Sequence, residues 1–167
     1  MGLLGSLPAC AALQSEPNDP QRSGTASDFS LRDTNGKVVR LSDYLGQRVI
    51  LLAFWATWCG PCAVELPELQ KLYKAHAAAG LIVLGISMDG PETVAEVAPK
   101  TRRYGLEFPI LLDEETRVVR AYNPKRAAPY SLLIDRRGVI VKTREGYATG
   151  DEVKLEQEIE ALLRANG

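Results

Sequence analysis

Cys59 and Cys62 stand two residues apart in Trp58-Cys59-Gly60-Pro61-Cys62, directly after a run of strand-forming residues. This spacing suits thiol–disulfide chemistry if a helix opens at Cys59. Its sulfur then lies at the helix start and that of Cys62 one turn in, within bridging reach. Pro61 fits a first helical turn, where its missing N–H leaves no bond unmade. The unpaired N–H groups and positive dipole end at that terminus favour a thiolate on Cys59. Such settings lower a cysteine pKa from ~8.5 into a range of roughly 3.5–7.5, and the thiolate is the attacking species.

Two other uses of paired cysteines fit less well. A zinc site wants four ligands, usually two such pairs or a pair with two histidines. This chain has one further cysteine, Cys10, and one histidine, His76, so no metal is expected. A structural disulfide across two residues would close too small a loop to stabilise the fold much.

The elements that must position the pair occupy one domain's length: 167 residues suit a single domain with an appendage. Twenty basic and twenty-one acidic residues leave a formal charge of -1, which offers no electrostatic argument for nucleic acid or an anionic membrane surface. Residues 1–13 carry no charged side chain and are too short to span a bilayer as a helix. They look like the tail of a secretory signal without its basic front. Leu7-Pro8-Ala9-Cys10 is similar to a lipobox, which makes Cys10 a lipid attachment candidate and an extracytoplasmic address the expectation. Residues 14–27 read as a flexible linker of turn formers. Residues 28–167 are expected to form the folded domain.

Asn35-Gly36 between two short apolar runs signals a hairpin, and Ser42 to Gly46 a short helical turn. Val49–Trp55 and Leu81–Ser87 are apolar without alternation, as central strands covered on both faces are. The helix begun by the cysteines carries Leu66, Leu69 and Leu72 on one face. Pro67 predicts a kink in it, and Gly80 a stop. His76 falls in its last turn and is expected to be exposed, without a catalytic role. A helix from Gly90 broken or bent at Pro99, a strand at 109–112 and a helix at 114–122 follow. Strands at 130–134 and 139–143 come next. Asp151 opens an amphipathic helix with Val153, Leu155, Ile159, Leu162 and Leu163 inward. This order implies α/β architecture, a mixed central sheet with helices on both faces.

Phe54-Trp55-Ala56-Thr57-Trp58-Cys59-Gly60-Pro61-Cys62 resembles the thioredoxin superfamily. From Ser27 to Ala165 the chain is similar to its extracytoplasmic TlpA/ResA-type thiol–disulfide oxidoreductases. Asp28 to Leu31 with the Asn35-Gly36 turn looks like that branch's extra N-terminal hairpin, and Gly90 to Tyr122 like its central insertion. Glu65-Leu66-Pro67 looks like its Glu-x-Pro. Ala128-Pro129-Tyr130-Ser131 looks like the loop whose proline is cis and faces the cysteines. The resemblance implies a thioredoxin-like three-layer fold. Where cytosolic thioredoxin has a buried aspartate, six positions before its first cysteine, this chain has Ala53. Glu65, at i+3 from Cys62 on a helix, is then the candidate acid/base. In an apolar pocket its pKa would rise.

The resemblance implies that Cys59 attacks a substrate disulfide and Cys62 resolves the mixed disulfide, with no cofactor beyond their own redox-active disulfide. Trp58, Gly60 and Pro61 would form the apolar surface around the sulfur, and Ala128 and Pro129 would receive an extended substrate strand. Gly-Pro between the cysteines resembles reducing members. The expected partners are exported protein thiols and disulfides, apocytochromes among them, and a membrane electron donor. No nucleic acid is expected. The protein itself would be a monomer, tethered by lipid if Cys10 is modified. A peroxiredoxin would need Pro-x-x-x-Thr-x-x-Cys, but Leu52 and Ala56 hold the proline and threonine positions. A copper-delivering protein would need a distal histidine, whereas His76 lies on the cysteines' own helix.

Overall fold

Seven residues, Val49–Trp55, form strand β3, and every one of them is buried. Successive side chains of one strand point to opposite faces, so a strand with no exposed face must lie inside a sheet covered twice. Val49, Leu51, Ala53 and Trp55 enter one core, and Ile50, Leu52 and Phe54 enter another. The computed structural model describes residues 24–165.

The other strands are β1 (Ser30–Asp33), β2 (Val38–Arg40), β4 (Leu81–Ser87), β5 (Ile110–Leu112), β6 (Tyr130–Ile134) and β7 (Ile140–Glu145). The sheet runs β2-β1-β5-β4-β3-β6-β7. β3 pairs parallel with β4 in the register Val49↔Leu81 to Trp55↔Ser87, and antiparallel with β6. β4 pairs parallel with β5, and the β1–β2 hairpin joins the sheet antiparallel along β5. Helices α1 (Gly60–His76) and α4 (Asp151–Ala165) cover one face, joined by Val97 at the start of α2 (Val97–Arg103). α3 (Arg117–Tyr122), the hairpin residues Leu31 and Val39, and Leu41 of the 3-10 turn after β2 cover the other. This is the three-layer arrangement expected, with the hairpin and insertion in place.

The hairpin turn shows its chemistry plainly. Asp33 Oδ1 accepts from the N–H groups of Asn35 at 2.8 Å and Lys37 at 2.9 Å. Gly36 takes φ +81°, a conformation that costs glycine nothing. Gly85 has a different reason: a Cβ there would meet Ile110 Cδ1 at 2.6 Å, so the Ile110 side chain fills the space a side chain at 85 would need.

Several expectations need correction. The end of the expected linker is part of the fold. Thr25 bridges to Val139, Ala26 is buried and donates to the Gly138 carbonyl at 2.7 Å, and Tyr122 donates to the Ser27 carbonyl. Gly90 to Thr93 form turns, a 3-10 turn follows at Val94–Glu96, and α2 begins only at Val97. Pro99 therefore sits in the first turn of α2, where a proline is tolerated, instead of breaking a longer helix. α3 starts at Arg117 rather than Glu114, because the Asp113 carboxylate takes the Arg117 and Val119 N–H groups. Val153 is 55% exposed, off the inward face of α4.

Candidate active site

β3 ends at Trp55, and a turn held by Cys59 N–H on the Ala56 carbonyl (3.1 Å) leads into α1. Cys59 caps that helix: its φ and ψ are extended, and its Sγ accepts the Cys62 N–H at 3.2 Å. A sulfur that accepts from a helix terminus is one whose negative form the helix supports. Cys59 and Cys62 are joined as a disulfide, their Cα atoms 5.3 Å apart. Cys59 keeps 7% exposure and Cys62 none. Trp58, Gly60, Pro61 and Val64 are exposed around them, Trp58 at 62%.

Glu65 lies one turn beyond Cys62 and is buried. Burial pushes its carboxyl from 4.5 up to about 7. The Arg144 guanidinium pulls it back, and the Asp151 carboxylate at the start of α4 adds to the rise. Arg144 is placed by register. Ala53 pairs with Ser131, and Ser131 with Arg144, so the three form one row across the sheet. Ala53 belongs to the α1–α4 core, and row partners share its face. Arg144 gives one nitrogen, Nη2, to Glu158 of α4, while its buried Nη1 has no hydrogen-bond partner. The charged side chain on this row thus comes from β7 and not from position 53.

The Ala128–Pro129 peptide bond is cis. Pro129 is buried, and Ala128 packs on the core cluster that contains both cysteines. Asn123, itself buried, fixes this loop: its Nδ2 donates to the Ala127 carbonyl at 2.7 Å and its Oδ1 accepts the Ala127 N–H at 3.0 Å. The Pro129 carbonyl accepts from Gly146 N–H at 2.8 Å. In the loop before the cysteines, Asp89 and Lys100 hold Thr57. The Asp89 carboxylate accepts Thr57 N–H at 3.0 Å and Thr57 Oγ1–H at 2.5 Å, and Lys100 Nζ donates to the Thr57 carbonyl. Asn123, Asp89, Lys100 and Arg144 carried no local signal. Only the first lies near a motif residue in sequence, and an asparagine four residues before a loop is unremarkable until its two bonds are seen.

His76 departs from expectation. It is half-buried, and its Nε2 pairs with Glu156 Oε1 at 2.9 Å. With Glu160 these side chains form the group of possible metal-binding atoms among the described residues, at the far end of α1 from the cysteines. Cys10 lies outside the described residues.

A helix-capping cysteine, a buried partner one turn in and a cis-proline loop packed on the same cluster define a thioredoxin-fold thiol–disulfide oxidoreductase. Residues 23–143 match the AhpC/TSA family model, and the chain belongs to that family. It is similar to the thiol-disulfide oxidoreductase ResA of Geobacillus thermodenitrificans, 36% identical over 83% of this chain and 76% of the relative. It also resembles ResA of Bacillus subtilis, 36% identical over 74% of this chain and 67% of that one. Among solved structures, a thiol:disulfide interchange protein DsbE of Chlorobium tepidum superposes with TM-score 0.78 at 33% identity, covering 86% of this chain and 98% of its own.

Proposed function

We propose that this protein reduces disulfides of exported proteins outside the cytoplasm, apocytochromes among the substrates, and is itself re-reduced by a membrane electron donor. Cys59 thiolate attacks one substrate sulfur, and the other substrate sulfur leaves as a thiolate. Cys62 gives its proton to Glu65 and attacks Cys59 Sγ. The second substrate thiolate departs, two electrons have passed to the substrate, and the Cys59–Cys62 disulfide remains. No bound cofactor takes part. Trp58, Gly60 and Pro61 form the apolar rim, and the Ala128–Pro129 loop receives the substrate backbone. The protein works as a monomer, and Cys10 carries a lipid tether. None of the helices among the described residues is long and apolar enough to cross a membrane.

The observation that carries this reading is the asymmetry of the pair: Cys59 accepts the helix N–H and retains access, whereas Cys62 has none. The Cys59→Ser variant should lose insulin-disulfide reduction, and Cys62→Ser should accumulate a mixed disulfide with substrate. Full insulin reduction by the Cys59→Ser variant would overturn the assignment.

A further inference from the structure

The charges on either side of Thr57 are not matched to each other by contact. Asp89, 1% exposed, is saturated: besides both Thr57 donors it accepts Ser87 Oγ–H at 2.9 Å, and its own N–H returns to Ser87 Oγ at 3.2 Å. Lys100 is half-buried and reaches the loop from α2, in the middle of the insertion. Its ammonium rests on a neutral carbonyl, and it takes part in no ion pair among the described residues. Desolvating an ammonium against a carbonyl is costly unless its charge is answered elsewhere. Two residues along the chain from that carbonyl is the sulfur that must become an anion.

We infer that Lys100 is a positioning residue for Cys59, reached through the Thr57 carbonyl, and that its cation is answered by the Cys59 thiolate when the disulfide is reduced. Asp89 supplies the fixed point. Thr57 N–H and hydroxyl are both bound to a buried carboxylate, which anchors the residue whose carbonyl holds Lys100. The charged groups set around the pair are then Lys100 from α2, Asp89 from the segment after β4 and Glu65 from α1, with Arg144 of β7 and Asp151 of α4 acting on Glu65. Lys100 is the cation bound to the loop that leads into Cys59. Opening the disulfide takes up two electrons, supplied by glutathione in the test below, and one proton, leaving Cys59 as a thiolate and Cys62 protonated. A cation that favours the thiolate therefore moves the equilibrium toward the dithiol as well as raising the rate of attack.

The test compares Lys100→Met and Lys100→Arg with the wild type in the intact domain. Two quantities are read: the rate at which iodoacetamide alkylates Cys59 in the reduced protein at neutral pH, and the position of equilibrium with glutathione. Loss of the cation held on the Thr57 carbonyl should slow alkylation about threefold to tenfold and shift the equilibrium toward the disulfide by a similar factor. Arginine should restore both. Unchanged rate and equilibrium in Lys100→Met would overturn the inference, as would a lowered melting temperature with neither quantity moved. Equal losses in the Met and Arg variants would overturn the role of charge.

Discussion

Replacing Glu65 by Gln removes an ionisable group from a pocket that resists its charge, and the effect has a sign fixed by pH. The folded-state carboxyl titrates near 7 instead of 4.5, chiefly because it is buried, with Arg144 opposing the rise and Asp151 adding to it. At 1.36 kcal/mol for each pH unit, the difference amounts to about 3 kcal/mol. Below pH 4.5 both folded and unfolded chains hold the proton, and the group costs nothing. As pH rises from 4.5 to 7 the unfolded chain releases its proton first, so folding stability falls. Above about 7 both states are ionised and the full penalty stands. Glu65→Gln lacks the penalty. Its stability relative to the wild type should climb through that window by as much as about 3 kcal/mol, or roughly 6–12 °C in melting temperature. Denaturant titrations of the disulfide-bonded proteins at several pH values between about 4 and 8 measure this directly. The same variant should slow resolution of a mixed disulfide, by about 10²-fold at the low end of general-base assistance. It should also lower the pH midpoint of Cys59 alkylation, since a negative Glu65 opposes a thiolate. Stability curves that stay parallel across the window, together with an unchanged resolution rate, would refute the reasoning and leave Glu65 a buried side chain of no consequence.

Two further outcomes rest on packing. Asn123→Ala leaves the Ala127 N–H and carbonyl unpartnered in a half-buried loop, which should cost about 1–3 kcal/mol; chemical denaturation gives the stability and insulin turnover the activity, and a stable, fully active variant would remove Asn123 from the support of the Ala128–Pro129 loop. Gly85→Ala drives a methyl to 2.6 Å from Ile110 and 3.2 Å from Phe108, an overpacking that should cost about 1–3 kcal/mol, read as an earlier urea midpoint with an unchanged slope.

The sequence revealed what is local or periodic. β3 and β4 were legible residue by residue because a strand buried on both faces has no polar position to confuse the pattern, and the cysteine pair announced its helix through Pro61 and the capping thiol. What stayed hidden depends on partners distant in the chain. His76 looks like an exposed end-of-helix residue until Glu156, eighty positions later, comes beside it. Pro99 looks like a helix breaker until the helix is seen to start at Val97. Residues 24–27 have the composition of a linker, yet backbone bonding to the β6–β7 turn does not require apolar side chains, so composition could not show it.

The acid chemistry of the site makes the same point more sharply. A carboxylate at position 53 would have been visible in the sequence as a charge inside an apolar strand. Here β3 is purely hydrophobic, and polar function has moved outward from it along two routes. Glu65 brings the acid from the helix above, and the register Ala53–Ser131–Arg144 brings a guanidinium from the sheet's edge strand. Each of these residues sits on an element that has solvent on one side. Each can therefore be charged in the unfolded chain and during assembly without burying an ion in the middle of the sheet, where desolvation is most costly. Part of the cost falls on Glu65, and its raised titration point is how that part shows itself. A carboxyl that titrates near neutrality is also the kind that can take a proton from Cys62 and give it back, so the burial that weakens the fold at high pH is what fits Glu65 to the proposed reaction.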